Sequence, residues 1–202
     1  TTSEGDCTQR AADNCLRALA LPAGAGQLHY YASHLPTTHT SPASPAASGN
    51  PFAPTAALIV IHGHSRDAGG SFNAALRATQ QAGKSDQTVV VAPVFQVDAA
   101  NAQRCSSPHT PPAQPDDATW TCGSWAAGAL ASNSAAPISS FAALDALVAD
   151  AQRQWPTLRS ITLVGYSAGA QLLQHRIVFA APAPHSVALR YVIAAPGSWL
   201  YL

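Results

Sequence analysis

Residues 161–169 read Ile-Thr-Leu-Val-Gly-Tyr-Ser-Ala-Gly, and they decide the fold of this chain. The first four are apolar or β-branched, which is typical of a strand buried on both faces. The last five follow the pattern G-x-S-x-G, and residues 168–180 continue with the spacing of a helix. A strand, a tight turn and a helix in this order predict a sharp bend that presents the Ser167 hydroxyl at the carboxyl end of a sheet.

Two glycines flank the serine in this turn. Gly165 and Gly169 leave room where a side chain would collide with the neighbouring strand or helix. The hydroxyl of Ser167 also lies near a helix N-terminus, which favours negative charge. The alternative interpretation is a glycine-rich turn with an incidental serine. The strand and the helix on either side favour Ser167 as a catalytic nucleophile.

Three more apolar runs end at turn residues and predict further buried strands: 57–61, 88–92 and 189–193. Helical spacing between these runs predicts helices over 72–81 and over 141–155, the second with Ser139 or Ser140 as N-cap. The alternation predicts an α/β fold class, with a mostly parallel central sheet and helices on both faces.

The N-terminal part of the chain is less regular. Residues 6–20 have a mildly helical pattern, residues 27–35 read as a strand, and a loop rich in Pro, Ser, Thr and Ala follows. We therefore expect residues 1–54 to form an N-terminal segment with outer strands, and residues 55–202 to form the nucleophile-bearing part of a single α/β domain.

A second motif follows the run at 57–61, where the sequence continues His62-Gly63-His64-Ser65. A tetrahedral intermediate of acyl transfer needs two hydrogen-bond donors aimed at its oxyanion. We expect the first to be the N–H of Ala168, directly after the serine. For the second we expect the N–H of His64, with Ser65 as second choice. We interpret His62 as a turn residue rather than a catalytic one.

The four cysteines fall into two local pairs, Cys7 with Cys15 and Cys105 with Cys122. Four cysteines allow three pairings, of which the local one is favoured. The chain begins at Thr1 and contains no methionine, so we expect that a signal peptide has been removed, with loss of the initiator methionine alone as the alternative. Disulfides and a removed signal predict a secreted or periplasmic protein.

Composition excludes several classes of partner. The formal net charge is zero, so there is no basic surface for nucleic acid. No apolar run approaches the length of a membrane span. The cysteines lack the C-x-x-C spacing of a metal site, and acyl transfer by a triad needs no cofactor.

These residues resemble the α/β-hydrolase superfamily over roughly residues 55–200, through the strand ending at His62-Gly63 and the elbow at 165–169. Three stretches resemble more narrowly a group of secreted hydrolases related to polyhydroxyalkanoate depolymerases and feruloyl esterases: Ile-His-Gly-His at 61–64 with Arg66-Asp67, Ala-Pro-Val-Phe-Gln at 92–96, and residues 191–202. The resemblance implies an ester substrate, bulky or polymeric ones included. Tyr166, Phe95, Gln96, Trp120 and Trp125 are candidates for lining its pocket, with packing in the core as the alternative for each.

One feature departs from the superfamily. Its catalytic acid and histidine follow the nucleophile on later strands, yet no Asp or Glu follows Asp150 here. His175 lies on the nucleophile helix, and His185 precedes the next strand. We therefore expect the last strands to be missing from this chain. A C-terminal fragment of the same protein would carry the Asp and the His and cover the apolar end at 199–202.

Three functions remain open. The first is a serine esterase that forms an acyl-enzyme on Ser167. The second is a secreted serine peptidase or amidase on the same fold, because its transition state needs the same groups. The third is a non-catalytic binding module that has lost its acid and base.

Overall fold

A computed structural model describes residues 6–35, 52–133, 136–179 and 187–199 of the chain. In this part of the chain, six strands form one sheet in the order β1-β2-β4-β3-β7-β8. The strands are β1 Leu16–Ala20, β2 Gln27–Ala32, β3 Ala56–Ile61, β4 Thr88–Val94, β7 Ser160–Tyr166 and β8 Ala188–Ala194. Two short strands, β5 Gln96–Val97 and β6 Thr119–Trp120, pair separately.

The centre of the sheet is parallel, as the apolar runs predict. Ile59 of β3 pairs with Val91 of β4, and Ile61 pairs with Gly165 of β7. The strand β8 extends the parallel part beyond β7, whereas β1 and β2 add an antiparallel edge on the other side. The carboxyl ends of β3, β4, β7 and β8 therefore meet at one edge of the sheet.

Helices pack on both faces of the sheet, which confirms the predicted architecture. The helices are α1 Ala68–Gln81, the short α2 Ala99–Ala102, α3 Ser140–Gln154 and α4 Ala168–Phe179. On one face α3 and α4 pack against Ile161 and Leu163 to build the larger core. On the other face α1 packs over β4 through Phe72 and Leu76.

The prediction of helical structure over residues 6–20 is wrong. Residues 16–20 form β1, which pairs antiparallel with β2 from Leu16 opposite Tyr31 to Ala20 opposite Gln27. The isolated segment has good helix formers, but pairing with an exposed sheet edge satisfies its backbone instead, and tertiary context commonly overrides such weak preferences. Only a short 3₁₀ turn, Asp13–Cys15, precedes the strand.

Both local cysteine pairs form disulfides. The bridge from Cys7 to Cys15 ties the N-terminal segment down, and Cys7 packs beside the α1 face of the core. The bridge from Cys105 to Cys122 closes the long connection between β4 and α3. That connection carries α2, β5 and β6 and lies beside the carboxyl edge of the sheet.

Candidate active site

The turn between β7 and α4 has the geometry of a nucleophile elbow. Ser167 has a φ of 55°, in the left-handed region that residues other than glycine rarely adopt. Its N–H donates to the carbonyl of Ala194 at the end of β8 (3.1 Å), and its carbonyl accepts from the N–H of Gln171 (3.0 Å). Its side chain is half-buried and lines a groove instead of packing in the core.

The two elbow glycines are required by close backbone approaches. A Cβ on Gly165 would lie 2.4 Å from the backbone carbonyl carbon of Gly169. A Cβ on Gly169 would lie 2.5 Å from the carbonyl oxygen of His62 and 2.6 Å from that of Ile61. Neither distance is possible for real atoms, and backbone cannot yield as a flexible side chain can. The glycines thus allow the first turn of α4 to sit directly against the ends of β3 and β7.

The loop after β3 lies beside the serine. A Cβ on Gly63 would be 3.7 Å from the Cβ of Ser167. Among the described residues, no acceptor bonds to the backbone N–H of His64 or to that of Ala168. Residues 63–66 are closed by a bond from the N–H of Arg66 to the carbonyl of Gly63 (3.0 Å). This segment is named the oxyanion turn below, after the role that the sequence predicts for the N–H of His64. The N–H of Ala168, directly after Ser167, and the N–H of His64, in the turn beside it, therefore have no acceptor among the described residues.

His62 is a structural residue behind this turn. It is fully buried, and its Nε2 accepts from the N–H of Phe95 (3.1 Å), which leaves Nδ1 as the donor to the carbonyl of Gly63 (2.9 Å). Burial lowers the pKa of His62 to about 4. The ring is therefore neutral near pH 7, and both of its nitrogens are occupied in fixing the oxyanion turn against β4.

An apolar groove of about 1110 Å³ runs from the serine along the α1 face of the sheet. Ser167, Tyr166 and His64 line its upper end, and Val164 and Val192 line its floor. The wall opposite belongs to α1. Tyr166 is 64% exposed and Val192 48% exposed, so this part of the sheet has no cover among the described residues.

The strand that ends in the elbow lies between β8 and the strand that carries the oxyanion turn. A helix begins directly after the serine. This is the setting in which a G-x-S-x-G serine acts at the top of a parallel sheet. The chain has the α/β-hydrolase fold.

Solved structures of three bacterial proteins are similar to this α/β-hydrolase fold. LpqC, a poly(3-hydroxybutyrate) depolymerase from Bordetella parapertussis, matches with a TM-score of 0.45 and 17% identity over 86% of this chain and 47% of its own. An alpha-beta serine hydrolase homologue from Coxiella burnetii matches with a TM-score of 0.39 and 15% identity, over 80% and 56%. XC6422 from Xanthomonas campestris, a serine hydrolase without lid, matches with a TM-score of 0.39 and 16% identity, over 90% and 84%.

The chain spans about half the length of the first two of these structures. No protein-family model matches the sequence, and a search of curated proteins gives no match. The fold assignment accordingly rests on the strand order, the elbow and the oxyanion turn.

None of the described histidines is placed as the base of a triad in this α/β-hydrolase fold. His175 lies eight residues along α4 from the serine, about 12 Å down the helix axis. His64 lies in the groove, but no carboxylate among the described residues bonds to its ring. His185 lies outside the described residues, so its predicted position has no structural counterpart here.

No pattern in the sequence indicated a histidine–aspartate pair whose carboxylate is buried. His29 Nδ1 on β2 lies 2.6 Å from the carboxylate of Asp117, which is 1% exposed. The strand β2 is three strand spacings from β7, about 14 Å across the sheet. The pair cannot reach Ser167, and it instead joins β2 to the long connection. Residues 88 apart in sequence gave no local signal of this contact.

Most of the candidate pocket residues belong to the core. Phe95, Trp120 and Trp125 are fully buried and pack around one another, with the rings of Phe95 and Trp125 stacked at 5.4 Å. Gln96 is also buried, and only Tyr166 lines the groove. Across the described ranges, His, Cys, Asp and Glu side chains form no group of three that could hold a metal.

Proposed function

We propose that this protein is a serine hydrolase that cleaves carboxylic esters through an acyl-enzyme on Ser167. One observation supports the proposal: a half-buried serine at φ 55° lines an apolar groove together with His64, and the N–H groups of His64 and Ala168 have no acceptor among the described residues. Strained backbone of this kind persists at functional sites because the surrounding structure holds it there.

In the proposed reaction, the Oγ of Ser167 attacks the ester carbonyl carbon, and its proton passes to a histidine base. The carbonyl oxygen becomes an oxyanion that accepts hydrogen bonds from the N–H groups of His64 and Ala168. The histidine then protonates the leaving alcohol. Water attacks the acyl-enzyme in the same way and releases the acid.

We propose that the base and its acid come from a segment that follows position 202. In support, no Asp or Glu follows Asp150, and no described histidine lies beside Ser167 with a carboxylate partner. The uncovered sheet face over β7 and β8 gives further support, because parallel sheets are ordinarily covered on both faces. Such a segment would pack in the groove and bring its side chains to the carboxyl edge.

The two disulfides support a secreted or periplasmic location for this hydrolase, because disulfides form and persist in oxidising compartments. Within the described ranges, no helix has the length and apolar character that crossing a bilayer requires.

The test is covalent labelling of the full protein with a fluorophosphonate probe, followed by peptide mapping. We expect labelling at Ser167 and none in Ser167→Ala. A wild-type protein that does not label would favour the non-catalytic binding module. Hydrolysis of p-nitrophenyl esters against peptide anilides then separates the two enzymes: faster cleavage of the anilides would replace the esterase with the peptidase or amidase.

A separate measurement tests the origin of the base. Intact mass of the active species under reducing conditions should show polypeptide beyond this chain, as one longer chain or as a second fragment. A single active species of 20.7 kDa, the mass of these 202 residues, would refute the proposed C-terminal segment.

A further inference from the structure

Arg66 is a buried cation without a carboxylate partner among the described residues. It is 2% exposed, and its φ of 55° places it, like Ser167, in the left-handed region. Burying a charge is costly unless its hydrogen bonds are fully satisfied. All hydrogen bonds of the Arg66 guanidinium go to one segment of the chain, residues 95–106.

The guanidinium of Arg66 binds only to oxygen atoms of the connection after β4. Its Nε donates to the carbonyl of Cys105 (3.2 Å) and its Nη2 to the hydroxyl of Ser106 (2.6 Å). Its Nη1 donates to Gln96 Oε1 (2.7 Å) and to the carbonyl of Phe95 (3.4 Å). A planar fork of five donors can satisfy acceptors spread in this way, whereas a lysine cannot.

The same connection also holds the backbone of the oxyanion turn. The N–H of Ser107 donates to the carbonyl of Ser65 (2.9 Å). The hydroxyl of Thr110 lies 3.1 Å from that carbonyl and 3.2 Å from the carbonyl of Arg66. These bonds hold the carbonyls of Ser65 and Arg66, which follow His64 in the same turn.

We infer that Arg66 is a positioning residue: it locks the oxyanion turn onto the segment around Cys105, so that the N–H of His64 points at the oxyanion. The inference rests on the proposed function for its catalytic consequence. Arg66 touches no reacting atom. Its effect passes through the turn, where a small displacement of an oxyanion donor is costly to the rate.

The test compares Arg66→Lys with Arg176→Lys in the full protein. Arg176 on α4 is a matched control, because it is also buried (4% exposed) and hydrogen-bonded, but its partners are Asp145 on α3 and Tyr191 on β8. Both variants should be less stable. Only Arg66→Lys should lower kcat, by about 100-fold with KM unchanged. The milder Ser106→Ala, which removes one acceptor, should lower kcat by about tenfold.

Hydrogen exchange of the amides at 63–66 gives a readout independent of activity. We expect about tenfold faster exchange in Arg66→Lys and no change in Arg176→Lys. An unchanged kcat and unchanged exchange in Arg66→Lys would overturn the inference and leave the esterase intact. A wild-type protein that neither labels nor hydrolyses esters would overturn the proposed function, and the exchange comparison would still decide whether Arg66 holds the turn.

Discussion

At the scale of single residues, backbone strain concentrates at the carboxyl edge of the sheet. Four residues other than glycine have a positive φ within the described ranges, and three of them lie at this edge: Arg66, Ser167 and Ala195. Each such residue costs on the order of 1–3 kcal/mol. The strain of Ser167 is held by the glycine contacts of the elbow, and that of Arg66 by its hydrogen bonds.

The elbow glycine can be tested by adding one methyl group. In Gly169→Ala the new Cβ would meet two backbone oxygens at 2.5 and 2.6 Å. We expect the free energy of unfolding to fall by about 1–3 kcal/mol or more, measured by urea denaturation. Gly123→Ala is the control, because a Cβ there has no atom within 4 Å. Equal stability of the two variants would contradict the close approach of α4 to β3.

The buried ring of His62 predicts a pH dependence of stability. Burial lowers its pKa from 6.5 to about 4. Between about pH 6.5 and pH 4 His62 binds a proton in the unfolded chain but not in the folded protein, so the free energy of unfolding falls as the pH is lowered through this window. The loss of stability reaches about 3 kcal/mol by pH 4. Above pH 6.5 His62 is neutral in both states and adds no pH dependence.

The variant His62→Gln isolates this contribution. Glutamine has no proton to take up, so its free energy of unfolding should decline less between pH 6.5 and 4 than that of the wild type. Other groups titrate alike in both proteins, and the difference between the two urea-denaturation series therefore reports His62. Parallel series would show that the ring is not buried as a neutral group.

At the scale of elements, the parts of the site that are local in sequence were predictable. The elbow at 165–169 and the end of β3 before His62 were predicted from patterns of a few residues, because strand, turn and helix each have a local signature. The strand β1 was not predictable in this way, since its neighbours at 27–32 decide its structure. The role of Arg66 was hidden for the same reason: its acceptors are 29 to 40 residues away.

The two disulfides should differ in their effect on catalysis. Replacing either pair by alanine removes a constraint on the unfolded chain that is worth about 3 kcal/mol for loops of this length. The Cys105–Cys122 bridge holds the segment whose backbone carbonyl, at Cys105, accepts a hydrogen bond from Arg66, whereas the Cys7–Cys15 bridge anchors the N-terminal segment. Both double variants should therefore unfold at lower urea, but only the one lacking Cys105 and Cys122 should also lose kcat. Equal kcat in the two double variants would show that the Cys105–Cys122 bridge has no effect on the oxyanion turn.

At the scale of the whole molecule, the two faces of the sheet are covered unequally. On one face α3 and α4 bury the neighbouring strands β4, β3 and β7, so that Ile161 and Leu163 are fully inaccessible to solvent. On the other face α1 covers β4 and part of β3, and the apolar groove runs beside α1 over the rest of that face. The elbow stands at the head of this groove, so whatever covers the groove also reaches the serine.

A charge placed in the groove should therefore disturb the active protein. In Val192→Asp a carboxylate replaces an apolar side chain on the groove floor, and packing of a C-terminal segment there would bury it at a cost of about 1–3 kcal/mol. We expect lower ester turnover and a lower free energy of unfolding. Leu130→Asp is the control, because Leu130 is also an exposed apolar residue (60%, against 48% for Val192) and lies outside the groove. Its free energy of unfolding should change by no more than about 0.5 kcal/mol. If both variants behave alike in the active species, the groove is open to solvent and the acid and base must approach Ser167 by another route.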